Sequence, residues 1–478
     1  MDQPKAADKI PLMLEEHASY GDRDATPPDN GDQDDQEEPK GLTFWQTFFA
    51  GSGIISGFSV TVLMTVIIYT GWLLGITIYV VVVLLLTYTG TLLGNCWEMI
   101  GKNCRDDRHP YGAIADQACG KIARMAINTV VDLNIFTANV MMLLIIPDLL
   151  YIIAGPSVHG TFCYWPLAFG LIVLPFMWLG ALKDLWQLGA ISYLGCCLAM
   201  VFLLINGARQ IPKSLGWRQH PFNQWNVSLD TRDNDPPSFY LGWLVSLVFS
   251  TSLFMVSFHF AIPSIQRGMH RPQTFNKCLV TIYSVFSLIS IPTLLVVFFG
   301  FGHLFANFKD SGVSILYIMP RDDMVITPAF LLLVNSLMLM VPASNPLFQH
   351  YEEILNIPEE CGWKRLVFRT LVVLLEIFFA ETIPQFSVFI AILSGLFIPP
   401  LTFLAPALFY LRLRTMHRAD SSSTRPFHHM CETVACVVLI VASPVVMVLT
   451  IVITSEAIAD GDTLFVAPCY VDPKAAHV

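Results

Sequence analysis

YLGWLVSLVFSTSLFMVSFHFAIPSIQRGM, residues Tyr240–Met269, is an apolar run broken by a polar stretch and a proline. One straight helix needs about 20 residues to cross a hydrocarbon core, and this run has about 30. Ser257-Phe258-His259 is followed by Pro263, which has no N–H and crowds the turn before it. The run therefore predicts a helix interrupted near its centre, with a carbonyl freed beside His259. Inside a bilayer such a break is tolerated only against protein, water or ligand.

Ten further apolar runs surround it, at roughly 44–70, 72–97, 124–154, 165–182, 187–208, 278–304, 327–346, 366–383, 385–411 and 431–455. The first has a soft centre of its own: Gly51, Gly53, Ser56, Gly57, Ser59 and Thr61. Two readings fit it. Gly53 and Gly57, four apart, suit close packing between helices. The same residues suit a second interrupted helix, and since the first and sixth runs stand five apart, matching breaks predict a five-plus-five inverted repeat.

Charge sets the orientation. If the N-terminus is cytosolic and the loops alternate, 20 of the 27 Lys and Arg residues fall on the inner side and seven on the outer. Basic loops resist translocation, which favours that orientation. Residues 1–43 read as a disordered acidic cytosolic tail; through Lys40 it holds 12 acids against four bases, most of the net charge of −10. Residues 44–455 form the transmembrane domain and 456–478 a short luminal or extracellular tail. The acidity belongs to the tail, so no nucleic-acid partner is implied. Asn226, in the only N-x-[ST] sequon, lies in the long outer loop and is the expected glycosylation site. Of 11 cysteines only Cys163 and Cys469 lie on the outer side, where an oxidising lumen permits them to pair; two free thiols are the alternative.

Several segments carry a family likeness. Phe260 through Pro263, Met269 and Pro272 to Phe275 resembles the sixth-helix motif of the amino acid/auxin permease family. Ile383-Pro384-Gln385-Phe386 through Gly395 to Ala405-Pro406 and Tyr410 resembles its tenth helix. Tyr88-Thr89-Gly90 and Leu174-Pro175 through Leu182-Lys183 look like its vesicular inhibitory amino acid transporter branch. The likeness runs over roughly 44–455 in order. It implies an all-α membrane protein of about 11 transmembrane helices, LeuT-like, five plus five with one appended. It also implies an amino acid substrate held by Ser56, Gly57, Phe58 and Ser59 in the first helix and Ser257, Phe258 and His259 in the sixth. One departure stands out: the family's first-helix pattern G-x-G-x-L-x-L-P reads here with Ser59 for the second Gly and Met64 for the Pro.

Polar residues inside the runs are the candidates for coupling transport to an ion. His259 titrates near neutrality and adjoins a break. Asp132 and Asn139, seven apart, share a helix face with Asn134 near them. Glu376 lies near mid-membrane, and Asn335-Ser336 would suit a sodium site or an interhelical hydrogen bond. Each of these also admits a structural reading as a satisfied buried group. No motif points to a cofactor, a metal or an enzyme activity; His428-His429 beside Cys431 lack a second ligand pair at zinc spacing. The expectation is a secondary active transporter of a small neutral amino acid or related amine, coupled to H+ or Na+. The rival reading is a non-transporting amino acid sensor on the same scaffold. Asp8-Lys9-Ile10-Pro11-Leu12-Met13 resembles a dileucine-type sorting signal, so vesicular or endolysosomal membranes stand beside the plasma membrane.

Overall fold

A computed structural model describes residues 41–478 apart from Ser56, 101–103, 105–106, 159–160, 180–185, 213–236, 303, 305–313, 318, 359, 361, 385–392, 418–425, 460–466 and 473–478. The acidic tail, Lys183, Asn226 and Ser56 lie outside the described residues. Each of the eleven apolar runs holds a helix. Among the described residues seven helices are long and apolar enough to cross a membrane alone, eight if the bent pair in the first run counts as one span. Among the described residues there is no β-strand, only an isolated bridge between Leu42 and Met269.

The first run is two helices, α1 (Phe44–Ser52) and α2 (Gly57–Thr70), bent by 54° at the break between them. A capping box starts α1: Thr43 Oγ accepts from the Gln46 N–H, and Gln46 Oε1 accepts from the Thr43 N–H at 2.9 Å. Gly71, at φ 86°, turns the chain directly from α2 into α3 (Trp72–Ile100), a backbone conformation that favours glycine. The short α4 (Pro110–Cys119) leads into α5 (Lys121–Ala154), whose apolar window is 72% buried and forms the centre of the bundle. Then come α6 (Tyr164–Met177) and α7 (Trp186–Gln210).

The sixth run divides into α8 (Pro237–Val256) and α9 (Ile262–Arg267). Pro263 sits in the first turn of α9, where no N–H is needed, so it starts the second half rather than kinking the first. The expected free carbonyl at His259 is corrected here, because it accepts a turn bond from the Ile262 N–H at 3.3 Å. The second half of the chain continues with α10 (Phe275–Phe301), α11 (Asp323–Ile354) and α12 (Trp363–Thr382). Two π-turns, Leu393–Phe397 and Pro400–Leu404, precede α13 (Ala405–His417). The last helix, α14 (Pro426–Ala459), is only 22% buried over its apolar window, as befits a helix appended to the rim.

Two ties hold the ends of the bundle. At one end, the Leu42 N–H donates to Gly268 O at 2.8 Å and the His270 N–H donates to Leu42 O at 3.0 Å, which joins the start of α1 to the end of α9. At the other a disulfide joins Cys163 to Cys469 across 306 residues. Arg369 is 2% exposed and sits inside α12. It donates to Glu352 Oε1 at 2.7 Å and to the carbonyls of Met177 and Leu179, binding α12 to α11 and to the end of α6.

Candidate functional site

The two broken helices meet a small cavity of about 50 Å³. Ile54 reaches it from the first break, and Ser257 and Phe260 from the second. Asn134, Ala138, Asn139 and Met142 line it from α5, and Leu339 and Ala343 from α11. The π-turn segment closes it with Leu393, Ile398 and Leu401. A water needs about 10–15 Å³ by this kind of measure, so the space suits a ligand of few heavy atoms. Among the described residues no Lys, Arg, Asp or Glu lines it. Asn134 is 4% exposed and its Oδ1 has no hydrogen-bond partner among the described residues, an acceptor open to a bound donor.

Of the described residues expected to bind substrate, Ser257 alone lines this cavity. Gly57 faces elsewhere: its N–H donates to Asn335 Oδ1 at 3.1 Å, and a Cβ there would lie 2.8 Å from Cys196 Sγ. Asn335 Nδ2 donates to Ser192 O at 3.0 Å and to Ser192 Oγ at 2.9 Å, while Ser192 Oγ donates to Gly53 O at 2.9 Å. A Cβ on Gly53 would lie 2.4 Å from Gly189. Close packing and interruption, set out as alternatives for the first run, are thus both present: the break is held by close contact with α7 and α11. Ser336 does not join the knot and bonds back to Leu332 O within α11.

Phe58 and Ser59 are buried away from the cavity lining, and the Phe258 ring packs 5.5 Å from that of Tyr283. His259 is fully buried on the far side of the second break, where Nε2 meets Thr89 Oγ1 at 2.9 Å. The structure brings it to α3, not to the cavity.

The carboxylates have partners that no linear motif announces. Asp132 Oδ2 pairs with His350 Nδ1, whose ring lies 4.4 Å from that of His109. His109 Nε2 is 3.2 Å from the half-exposed carboxylate of Glu353. His109 lies at the end of the loop before α4. Burial, then the neighbouring His350 and the cations of Arg124 and Arg267, push its imidazole down to about 3, so it is neutral at physiological pH. Glu376 is fully buried, and its Oε1 accepts from Asn139 Nδ2 at 2.8 Å. Asp132–His350 and Asn139–Glu376 are more than 200 residues apart in sequence, so only the fold reveals them.

An all-helical bundle with two interrupted helices meeting at a cavity is the architecture of a polytopic membrane protein. The family described as transmembrane amino acid transporter protein matches residues 40–453, and the chain belongs to it. No curated protein matches the chain by sequence. Among solved structures, the crystal structure of MhsT in complex with L-phenylalanine is similar at TM-score 0.57 and 14% identity, over 86% of this chain and 97% of that one. A manganese transporter of Eremococcus coleocola aligns at TM-score 0.46 and 14% identity over 88% and 97%. A Na+-coupled sialic acid symporter aligns at 0.44 and 13% over 86% and 92%. The MhsT likeness shows the fold, LeuT-like and all-α.

Proposed function

We propose that the chain is a secondary active transporter of a small neutral amino acid or a close amine relative, coupled to protons and working by alternating access. The observation that carries this is the cavity between the two breaks, small, uncharged and fitted with Asn134, Asn139 and Ser257. A zwitterion needs an acceptor for its ammonium group. The Asn134 carbonyl and the carbonyl ends of α1 and α8 supply one without a fixed charge. A charged side chain on the substrate would find no counter-ion there, which selects for neutral substrates.

Uptake of labelled glycine, alanine and γ-aminobutyrate into proteoliposomes, with and without a pH gradient, tests the reading. Gradient-driven accumulation is expected, and Asn134→Ala should weaken binding by about tenfold, the loss of roughly one buried hydrogen bond. No accumulation under either a proton or a sodium gradient would remove it. The sensor reading is favoured by one feature: Asn335 already occupies the Gly57 N–H that a substrate carboxylate would otherwise use. Saturable binding without uptake is its signature.

The cytosolic N-terminus, the disordered tail of residues 1–43, the outer tail of 456–478 and a vesicular, endolysosomal or plasma membrane address belong to the same proposal. So does kinship with the vesicular inhibitory branch. Ser228→Ala should abolish a glycan-dependent gel shift at Asn226; cytosolic access to residue 226 would reverse the orientation.

A further inference from the structure

Glu376 stands in the middle of α12 with no exposure to solvent, and among the described residues no cation pairs with it. Its Oε1 accepts from Asn139 at 2.8 Å, and its Oε2 has no hydrogen-bond partner among the described residues. A carboxylate held away from water without a counter-charge is strongly disfavoured, so the group favours its neutral form whenever water is shut out. Asn139 Nδ2 also donates to Ser344 Oγ at 2.7 Å, and Asn139 is part of the cavity wall. A single amide therefore touches the cavity, α11 and the buried carboxyl group. The other candidates are placed differently: His259 is engaged by Thr89 beyond the second break, and Asp132 by His350.

We propose that Glu376 carries the coupled proton and that Asn139 is the positioning residue tying its protonation to occupancy of the cavity. The inference rests on the proton-coupled reading above. With the cavity open to the acidic side, water reaches Glu376 past Asn139 and a proton adds to Oε2, giving the neutral acid. Oε1 keeps the Asn139 N–H throughout. Substrate then fills the cavity and excludes water, a state in which the ionised carboxyl would be stranded. When the opposite side opens, the O–H bond ionises to water there and the carboxylate is solvated again. One proton is taken up and one released per cycle, with no other reactant.

The test compares full-length wild type with Glu376→Gln, which keeps an acceptor for Asn139 but cannot titrate. In proteoliposomes, Glu376→Gln should exchange labelled alanine across the membrane yet lose all pH-driven accumulation. Its alanine affinity should lose the pH dependence of wild type, where one linked proton gives up to about tenfold per pH unit. A readout independent of transport is the infrared C=O band of a protonated carboxyl, expected in wild type and absent in Glu376→Gln. Asn139→Leu should shift the pH at which that band appears. Glu376→Asp, which restores a titratable group, should restore part of the accumulation and guards against a variant that merely misfolds. The inference is overturned if Glu376→Gln still accumulates alanine on a pH gradient, or if the band is unchanged by it. It is equally overturned if His259→Gln or Asp132→Asn removes the gradient dependence while Glu376→Gln does not. A wild-type chain that neither binds nor takes up any of the three labelled compounds fails differently, bringing down the transport reading and this inference together.

Discussion

Gly57 shows how far one residue's role depends on which way its hydrogen atom points. In the sequence it is the midpoint of an interrupted helix and a natural place for substrate. In the fold a Cβ at this position would lie 2.9 Å from both Asn335 Oδ1 and Leu332 Cδ2. Gly57→Val should therefore displace Asn335 and cost about 1–3 kcal/mol of stability, the usual range for overpacking a filled core. A lowered melting temperature of the purified protein in detergent is the expected result; an unchanged melt with lost alanine binding would return Gly57 to the cavity. His109 gives a second residue-scale expectation. Its folded-state imidazole is held at about 3, below its ordinary value near 6.5, so the unfolded chain binds the proton more readily. Stability from this group is full above about 6.5 and falls as the pH drops toward 3. His109→Gln should flatten that part of the acid-melting profile, and a profile identical to wild type would refute the contribution.

At the scale of elements, α12 is the helix whose composition argues against its position. Lys364, Arg365, Arg369, Glu376 and Glu381 give it more charge than a lipid-facing span tolerates. The bundle resolves this by turning Arg369 and Glu376 inward, the first against Glu352 and two carbonyls, the second against Asn139. Arg369 also lies 4.7 Å over the ring of Phe348, so its charge is both paired and covered. Arg369→Leu would leave the Met177 and Leu179 carbonyls unpaired and Glu352 with Arg365 as a remaining partner. Breaking a buried ion pair typically costs about 3–5 kcal/mol, and because Arg365 remains, the lower end is expected. Thermal melts should show the loss, and a double change with Glu352→Gln should cost less than the two singles added together.

At the scale of the molecule, the chain is closed at opposite ends by unlike devices. The end that holds the start of α1 relies on two backbone hydrogen bonds between Leu42 and the Gly268–His270 turn, which can open and re-form. The other end relies on the covalent Cys163–Cys469 bridge, which also stands near α12, since the Cys469 N–H donates to Glu381 O at 2.8 Å. A disulfide typically stabilises a fold by about 2–4 kcal/mol. Cys469→Ser should lower the melting temperature and make wild-type and variant melts coincide once a reductant is added. If reductant leaves the wild-type melt unchanged, the bridge contributes nothing measurable.

The helical runs, their approximate ends, the two interruptions and the family likeness were all legible in the chain, because membrane insertion writes itself as local apolarity and breaks write themselves as Gly, Ser and Pro. Polar residues worth suspecting were legible for the same reason, since charge and amide groups stand out against a lipid-facing background. Their partners were not. Asn139 and Glu376 lie 237 residues apart, Asp132 and His350 218, and Gly57 and Asn335 278. Which of Ser257 and His259 faces the cavity turns on the direction of one short unwound segment, two residues apart in sequence and on opposite sides of it. Helix rotation and close packing against α5, α7 and α11 decide that, and hydrophobicity read along the chain carries no record of it.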